Sequence, residues 1–206
     1  MVKNNVDVVI CGYDATKPKK EVMSGKAATI KLLTKQENVD IVAWNKLYKK
    51  SLFIYNNLWF PEGKKHEDTL VIYKILAQAK KVSYLDKSLY CYVERKESIM
   101  KTGKTEERLM MRELAAEEAI EYFKNDKDLR QAAEVSLLLA KYAYLDFAIS
   151  GKIKKKYGEV AKDWIRGHKN DFANNKYMTK KLKVYNLAST KIGSVVYWVF
   201  RKVIHE

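Results

Sequence analysis

From Leu129 to Ile149 the chain is apolar nearly all the way round a helical projection. Val135, Leu137, Leu138, Leu139, Tyr142, Tyr144, Leu145 and Phe147 leave no broad polar face. A helix of that kind is stable only when other helices cover it on several sides. Gly151 is its stop signal. Partners are at hand on both sides. Met111, Leu114, Ala115, Ala119 and Tyr122 recur at the three-four spacing of one helix face. Ile153–His168 and Tyr177–Ile204 give two further helical stretches, the second expected to break around Asn186 and Gly193. Residues 101–206 therefore predict a helical domain.

The first hundred residues read differently. Val6–Cys11 is short, β-branched and followed by Gly12, as in a buried strand. Ser24 is placed to cap a helix over Lys26–Leu33. Pro61-Glu62-Gly63 is a turn, and His66–Ala79 predicts a helix with Leu70, Tyr73, Ile75 and Leu76 inward. Lys81–Leu85 and Leu89–Val93 predict two short strands joined by the turn Asp86-Lys87-Ser88. The expected class is a small α/β part, residues 1–100, followed by a mostly α-helical part, residues 101–206, and helix-rich overall.

Composition narrows the function classes. Apolar residues make up 47% of the 206 residues, too many for a disordered chain. Cys11 and Cys91 cannot form a disulfide scaffold, and no Cys pair has zinc-site spacing. A reducing, cytoplasmic setting fits that usage. No apolar run approaches the ~20 residues of a membrane span, and no secretory signal opens the chain. The net charge is +15, and residues 150–206 hold fourteen basic against four acidic side chains. Such a tail suits an anionic lipid surface or an acidic partner, or is simply a solvated lysine face. Lysines 180, 181, 183 and 191 with Tyr185, Trp198 and Phe200 suit a helix lying on a membrane surface. Nucleic acid is the weakest of the partners, because no known reader motif is present.

Metal-protease, serine-hydrolase and P-loop signatures are absent, and the three histidines are scattered. Glu67-Asp68 stands at the expected start of a helix. Acids favour that position for the helix dipole alone. A carboxylate held there is equally suited to act as a general base. Trp44-Asn45-Lys46 joins a ring to an amide, a pairing that suits sugar stacking and hydroxyl recognition, or a core tryptophan. Arg95 could clamp a diphosphate or form a surface ion pair.

In order, Val6–Tyr13, Ala43-Trp44-Asn45-Lys46-Leu47-Tyr48 with Ser51-Leu52-Phe53, Phe60-Pro61-Glu62-Gly63 running into His66-Glu67-Asp68, and Tyr90-Cys91-Tyr92 through Arg95 to Met100 make a set. Over about residues 5–100 this set resembles the acceptor-side half of a bacterial family 2 glycosyltransferase. These are GT-A enzymes of capsule, exopolysaccharide and cell-wall glycan synthesis.

The resemblance implies a GT-A-like remnant of few strands, with a variable helical extension behind it. It makes Asp68 the general base of an inverting transfer from a nucleotide sugar, with Glu67 and His66 beside it. Trp44, Asn45 and Lys46 would line the acceptor side, and Arg95 would approach the diphosphate. The family's Asp-x-Asp site for Mg²⁺ or Mn²⁺ and the nucleotide has no counterpart here, since Asp7 and Asp14 do not stand at its position. The expectation is therefore no cofactor within this chain, and a truncated enzyme that is inactive alone or needs a donor-half partner. The implied acceptor is a glycan or a lipid-linked saccharide, at the inner membrane face. The alternative is a non-catalytic interaction or membrane-surface module derived from such an enzyme. Self-association into a homo-oligomer is expected in either case.

Overall fold

The computed structural model describes residues 5–14, 19–35, 39–93 and 105–191. Arg95, Ser98–Met100, Gly193, Trp198, Phe200 and His205 lie outside the described residues. Among the described residues the chain is mixed α/β and helix-rich, with a four-stranded sheet and seven helices. It divides into two compact units, Met1–Gly103 and Lys104–Glu206.

The first unit is built on β1 (Val8–Tyr13). On one side β1 pairs in parallel with β4 (Val82–Tyr90), and on the other it pairs antiparallel with β3 (Lys46–Tyr48). β2 (Glu21–Met23) closes the far edge antiparallel to β4, giving the order β2-β4-β1-β3. Val8, Ile10 and Val82 are fully buried. Side chains of this size contribute about 1.5–3 kcal/mol each on burial.

Asp7 ties three strand ends together. Its carboxylate pairs with Lys49 at 2.7 Å and accepts from the amides of Lys80 (2.7 Å) and Lys81 (3.2 Å). Burial works to raise its pKa, but the Lys49 ammonium and these amides outweigh burial and hold the group below its ordinary value.

β4 is one strand, where the sequence predicts two. Between Ile10 and Gly12 the register on β4 jumps from Tyr84 to Ser88, and it slips again before Tyr90. The polar residues Asp86 and Lys87 therefore leave the ladder as a bulge and do not reverse the chain.

α1 (Gly25–Leu33) starts at Ser24, whose side chain accepts from the amide of Ala27. α3 (Asp68–Gln78) buries Leu70, Val71, Ile72, Tyr73, Ile75 and Leu76. The two helices meet at Gly25, where an added Cβ would lie 2.1 Å from the carbonyl oxygen of Ala79 and 2.2 Å from that of Leu76. Only glycine permits that approach. α2 (Ser51–Asn56) is a short helix that sequence periodicity does not reveal.

The second unit contains α4 (Thr105–Tyr122), α5 (Lys127–Ile149), α6 (Lys155–Gly167) and α7 (Lys180–Lys191). Asp126 caps α5 by accepting from the amides of Asp128 and Leu129. Gly151, at φ 71°, follows its end in the left-handed conformation. α5 buries twelve of its 23 residues, as its apolar circumference requires. Val135, Leu138, Tyr142 and Leu145 pack with Ile165, Phe172 and Met178. The predicted face of α4 holds at Ala115 and Ala119 and fails at Leu114 and Tyr122. Leu109, Ala115, Ala116 and Ala119 point inward, while Leu114 and Tyr122 are exposed. α7 runs unbroken through Asn186, which accepts from the Tyr142 hydroxyl at 3.3 Å. That bond explains why Asn186 does not end the helix: its amide is satisfied outward and not on its own backbone.

Candidate functional site

The parallel pairing of β1 and β4 sets Tyr13 opposite Tyr90 at the carboxyl ends of both strands. In sheets with parallel strands, ligands bind beyond those ends. Trp44 stands there, at the end of a loop, among three tyrosines. It stacks on Tyr90 at 4.4 Å with 28° between planes, meets Tyr92 at 5.3 Å, and takes the edge of Tyr13 at 4.8 Å. Asp14, at φ 50°, fixes the end of β4. Its amide donates to the carbonyl oxygen of Tyr90, and its carboxylate accepts from the amide of Tyr92. The Tyr13 hydroxyl donates to Asp40 at 3.0 Å. Burial, then the Asp40 charge, raises the pKa of Tyr13, so it stays a donor at neutral pH.

The loop that carries Trp44 is held from beneath. Lys46 is 7% exposed. Its ammonium donates to the carbonyl oxygens of Asp40 (2.7 Å) and Val42 and to Asn45 Oδ1 at 2.8 Å. All three donors are used. Burial pushes Lys46 down to about 8, with the charges of Asp40 and Asp68 opposing that fall. Asn45 is 4% exposed and donates to the carbonyl oxygen of Cys11 at 3.2 Å. The side chains of Asn45 and Lys46 are thus spent on backbone carbonyls and on each other, and of Trp44, Asn45 and Lys46 only Trp44 has a partly exposed side chain.

Asp68 is the first residue of α3 and is half-buried. Its Oδ1 accepts from the amide of Thr69 at 2.9 Å and from its hydroxyl at 3.4 Å. Burial raises its pKa, and Glu67 adds to the rise. The Thr69 bonds and the His66 charge offset only part of it. The Asp68 charge also reaches β3, where it favours the Lys46 ammonium and, after burial, helps to raise Tyr48. His66, two residues before the acid, holds a left-handed backbone at φ 60°. Such a conformation costs on the order of 1 kcal/mol in a non-glycine residue. Strain of this kind persists only where surrounding structure enforces it.

The structure thus brings Asp68, Glu67 and His66 together at one helix start, and Asn45 and Lys46 together under Trp44. Lys46 links the two groups through charge. Tyr13, Asp40, Tyr90 and Tyr92 join the site without having been assigned a role in the sequence. Tyr90 and Tyr92 lie in the predicted strand Leu89–Val93, whereas the Tyr13–Asp40 bond spans 27 positions and leaves no local trace. No group of three or more His, Cys, Asp or Glu suited to a metal ion exists among the described residues.

With this geometry in place, one likeness to a known protein bears on the chemistry. Over 59 residues the chain is 48% identical to the glycosyltransferase GlyA of Streptococcus pneumoniae serotype 4 (strain ATCC BAA-334 / TIGR4). That stretch is 29% of this chain and 8% of the relative, so the chain matches only a small part of that protein's length. No protein-family model matches the chain. The chain is related, over part of its length, to a glycosyltransferase. No helix among the described residues is long and apolar enough to cross a membrane.

Proposed function

We propose that the first unit is the acceptor side of an inverting, family 2-like glycosyltransferase of glycan synthesis, and that Asp68 is its general base. One observation carries this reading: a half-buried carboxylate with a raised pKa at the start of α3, in a chain partly related to a glycosyltransferase. A base is most effective when its pKa lies closer to the working pH than an ordinary carboxylate's does.

In this reading an acceptor hydroxyl donates its proton to the Asp68 carboxylate as the oxygen forms its bond to the anomeric carbon. The bond from that carbon to the nucleotide diphosphate breaks on the opposite face, and the diphosphate leaves with the electron pair. Tyr90, Tyr92 and the exposed part of Trp44 offer rings against which the sugar can lie. The Tyr13 hydroxyl, its proton donated to Asp40, is oriented to accept from a sugar hydroxyl. His66 and Glu67 set the charge around the base. Lys46 positions the Trp44 loop. The nucleotide diphosphate and its metal call for residues beyond those described, supplied by a donor-binding half. Arg95, outside the described residues, remains the candidate diphosphate contact.

The test is acceptor-dependent release of nucleotide diphosphate from a panel of UDP-, GDP- and dTDP-sugars with Mn²⁺, on wild type and Asp68→Asn. The expected loss is about 10²-fold or more. Equal rates in both proteins contradict the proposal, whereas no release from the chain alone is what a missing donor-binding half predicts.

A further inference from the structure

Residues 49–66 hold four lysines against one glutamate, Glu62. Within the same stretch stand the rings of Phe53, Tyr55, Trp59 and Phe60. Tyr55 is 85% exposed, Trp59 60% and Ile54 49%. Lys50, Lys64 and Lys65 are exposed, while Lys49 is spent on Asp7.

These rings are held in place. Asn57 ends α2 in the left-handed conformation, at φ 49°. Its Oδ1 accepts the indole N–H of Trp59 at 3.1 Å, and the amide of Leu58 donates to the carbonyl oxygen of Phe53 at 3.0 Å. Phe53 lies 6.3 Å from Trp59, 6.1 Å from Phe60 and 5.5 Å from Tyr48, ring centre to ring centre. Trp59 is therefore backed by other rings and turned toward solvent with its N–H already bonded. What it offers is apolar surface.

We infer that α2 and the loop 57–65 form a docking surface for an anionic lipid bilayer. Tryptophan and tyrosine settle at the level of lipid headgroups, and flanking lysines add attraction to acidic lipids. The charge of this stretch complements such a surface, with three exposed lysines around exposed rings. Exposed Ile54 has nothing to offer a saccharide but adds area in a headgroup layer. The surface stands on its own, whether or not Asp68 is a base.

The test is flotation of the full chain with vesicles of phosphatidylcholine, with and without roughly one-third phosphatidylglycerol, at low salt. Wild type should float with the anionic vesicles. Tyr55→Ser with Trp59→Ala should weaken partitioning by about tenfold, and Lys64→Glu with Lys65→Glu by at least as much. Far-ultraviolet circular dichroism checks that the variants fold. Should the aromatic double variant fail to fold, brominated lipid decides: it should quench wild type more than Trp59→Phe. The inference is overturned if wild type does not float. It is equally overturned if it floats unchanged without the two rings, because the net charge of +15 then acts elsewhere. Binding to soluble heparin with the same sensitivity to Trp59, and none to vesicles, also overturns it in favour of an acidic glycan.

Discussion

The ammonium of Lys46 donates to the carbonyl oxygen of Asp40 at 2.7 Å, and so anchors the loop that holds Trp44. Its other two donors go to Val42 and Asn45. Lys46→Met should therefore strand three acceptors and loosen the loop. The expected cost is about 2–3 kcal/mol in a denaturant melt, with a red shift in tryptophan emission. A variant as stable as wild type would show that the loop is held by other means.

The same lysine sets an alkaline signature. Its folded pKa is pushed below the ordinary 10.5 to about 8, so between those values the unfolded chain binds more protons than the folded one. Stability from this group should rise with pH from about 8 to about 10.5. In Lys46→Met that component of the slope should vanish. Melts across this window, compared between the two proteins, check the sign.

Gly25 separates α1 from the end of α3. Gly25→Ala would place a Cβ 2.1–2.2 Å from two backbone carbonyl oxygens, neither the tip of a flexible side chain. A loss of about 3 kcal/mol is expected, the upper end for overpacking. A change under about 1 kcal/mol would contradict the close approach.

In the second unit Lys141 pairs with Glu113 and lies over Trp164 at 5.0 Å. Lys141 is 7% exposed. Glu113→Gln should cost about 3 kcal/mol, because it leaves a buried ammonium without its counter-charge. Lys141→Met with Glu113→Leu should recover most of that loss. Chemical denaturation of the single and double variants separates the two effects.

Local signals in the sequence were enough for the strand at Val8, the Ser24 cap and the inward face of α3. Each depends on neighbours within one or two turns of chain. β4 was divided because Asp86-Lys87-Ser88 has turn composition. A bulge also removes residues from the ladder, and only the pairing with β1 distinguishes the two. β3 and α2, at three and six residues, are too short to show a period. On α4 the large residues Leu114 and Tyr122 drew the predicted face outward, while small alanines make the contact. At the site, Glu67-Asp68 was legible as a helix start. The burial of Asn45 and Lys46 was not, because it follows from backbone carbonyls that the fold, and not the sequence pattern, points at them.

The most direct check on the account is a carboxyl-detected NMR titration of Asp68, with Asp7 as the internal reference. Asp68 should titrate above the ordinary aspartate value of 3.8 and Asp7 below it. With that order, Asp68 also favours stability only at low pH, and its contribution falls as pH rises through its folded pKa. An Asp68 midpoint at or below 3.8 would remove the physical basis for its role as a base.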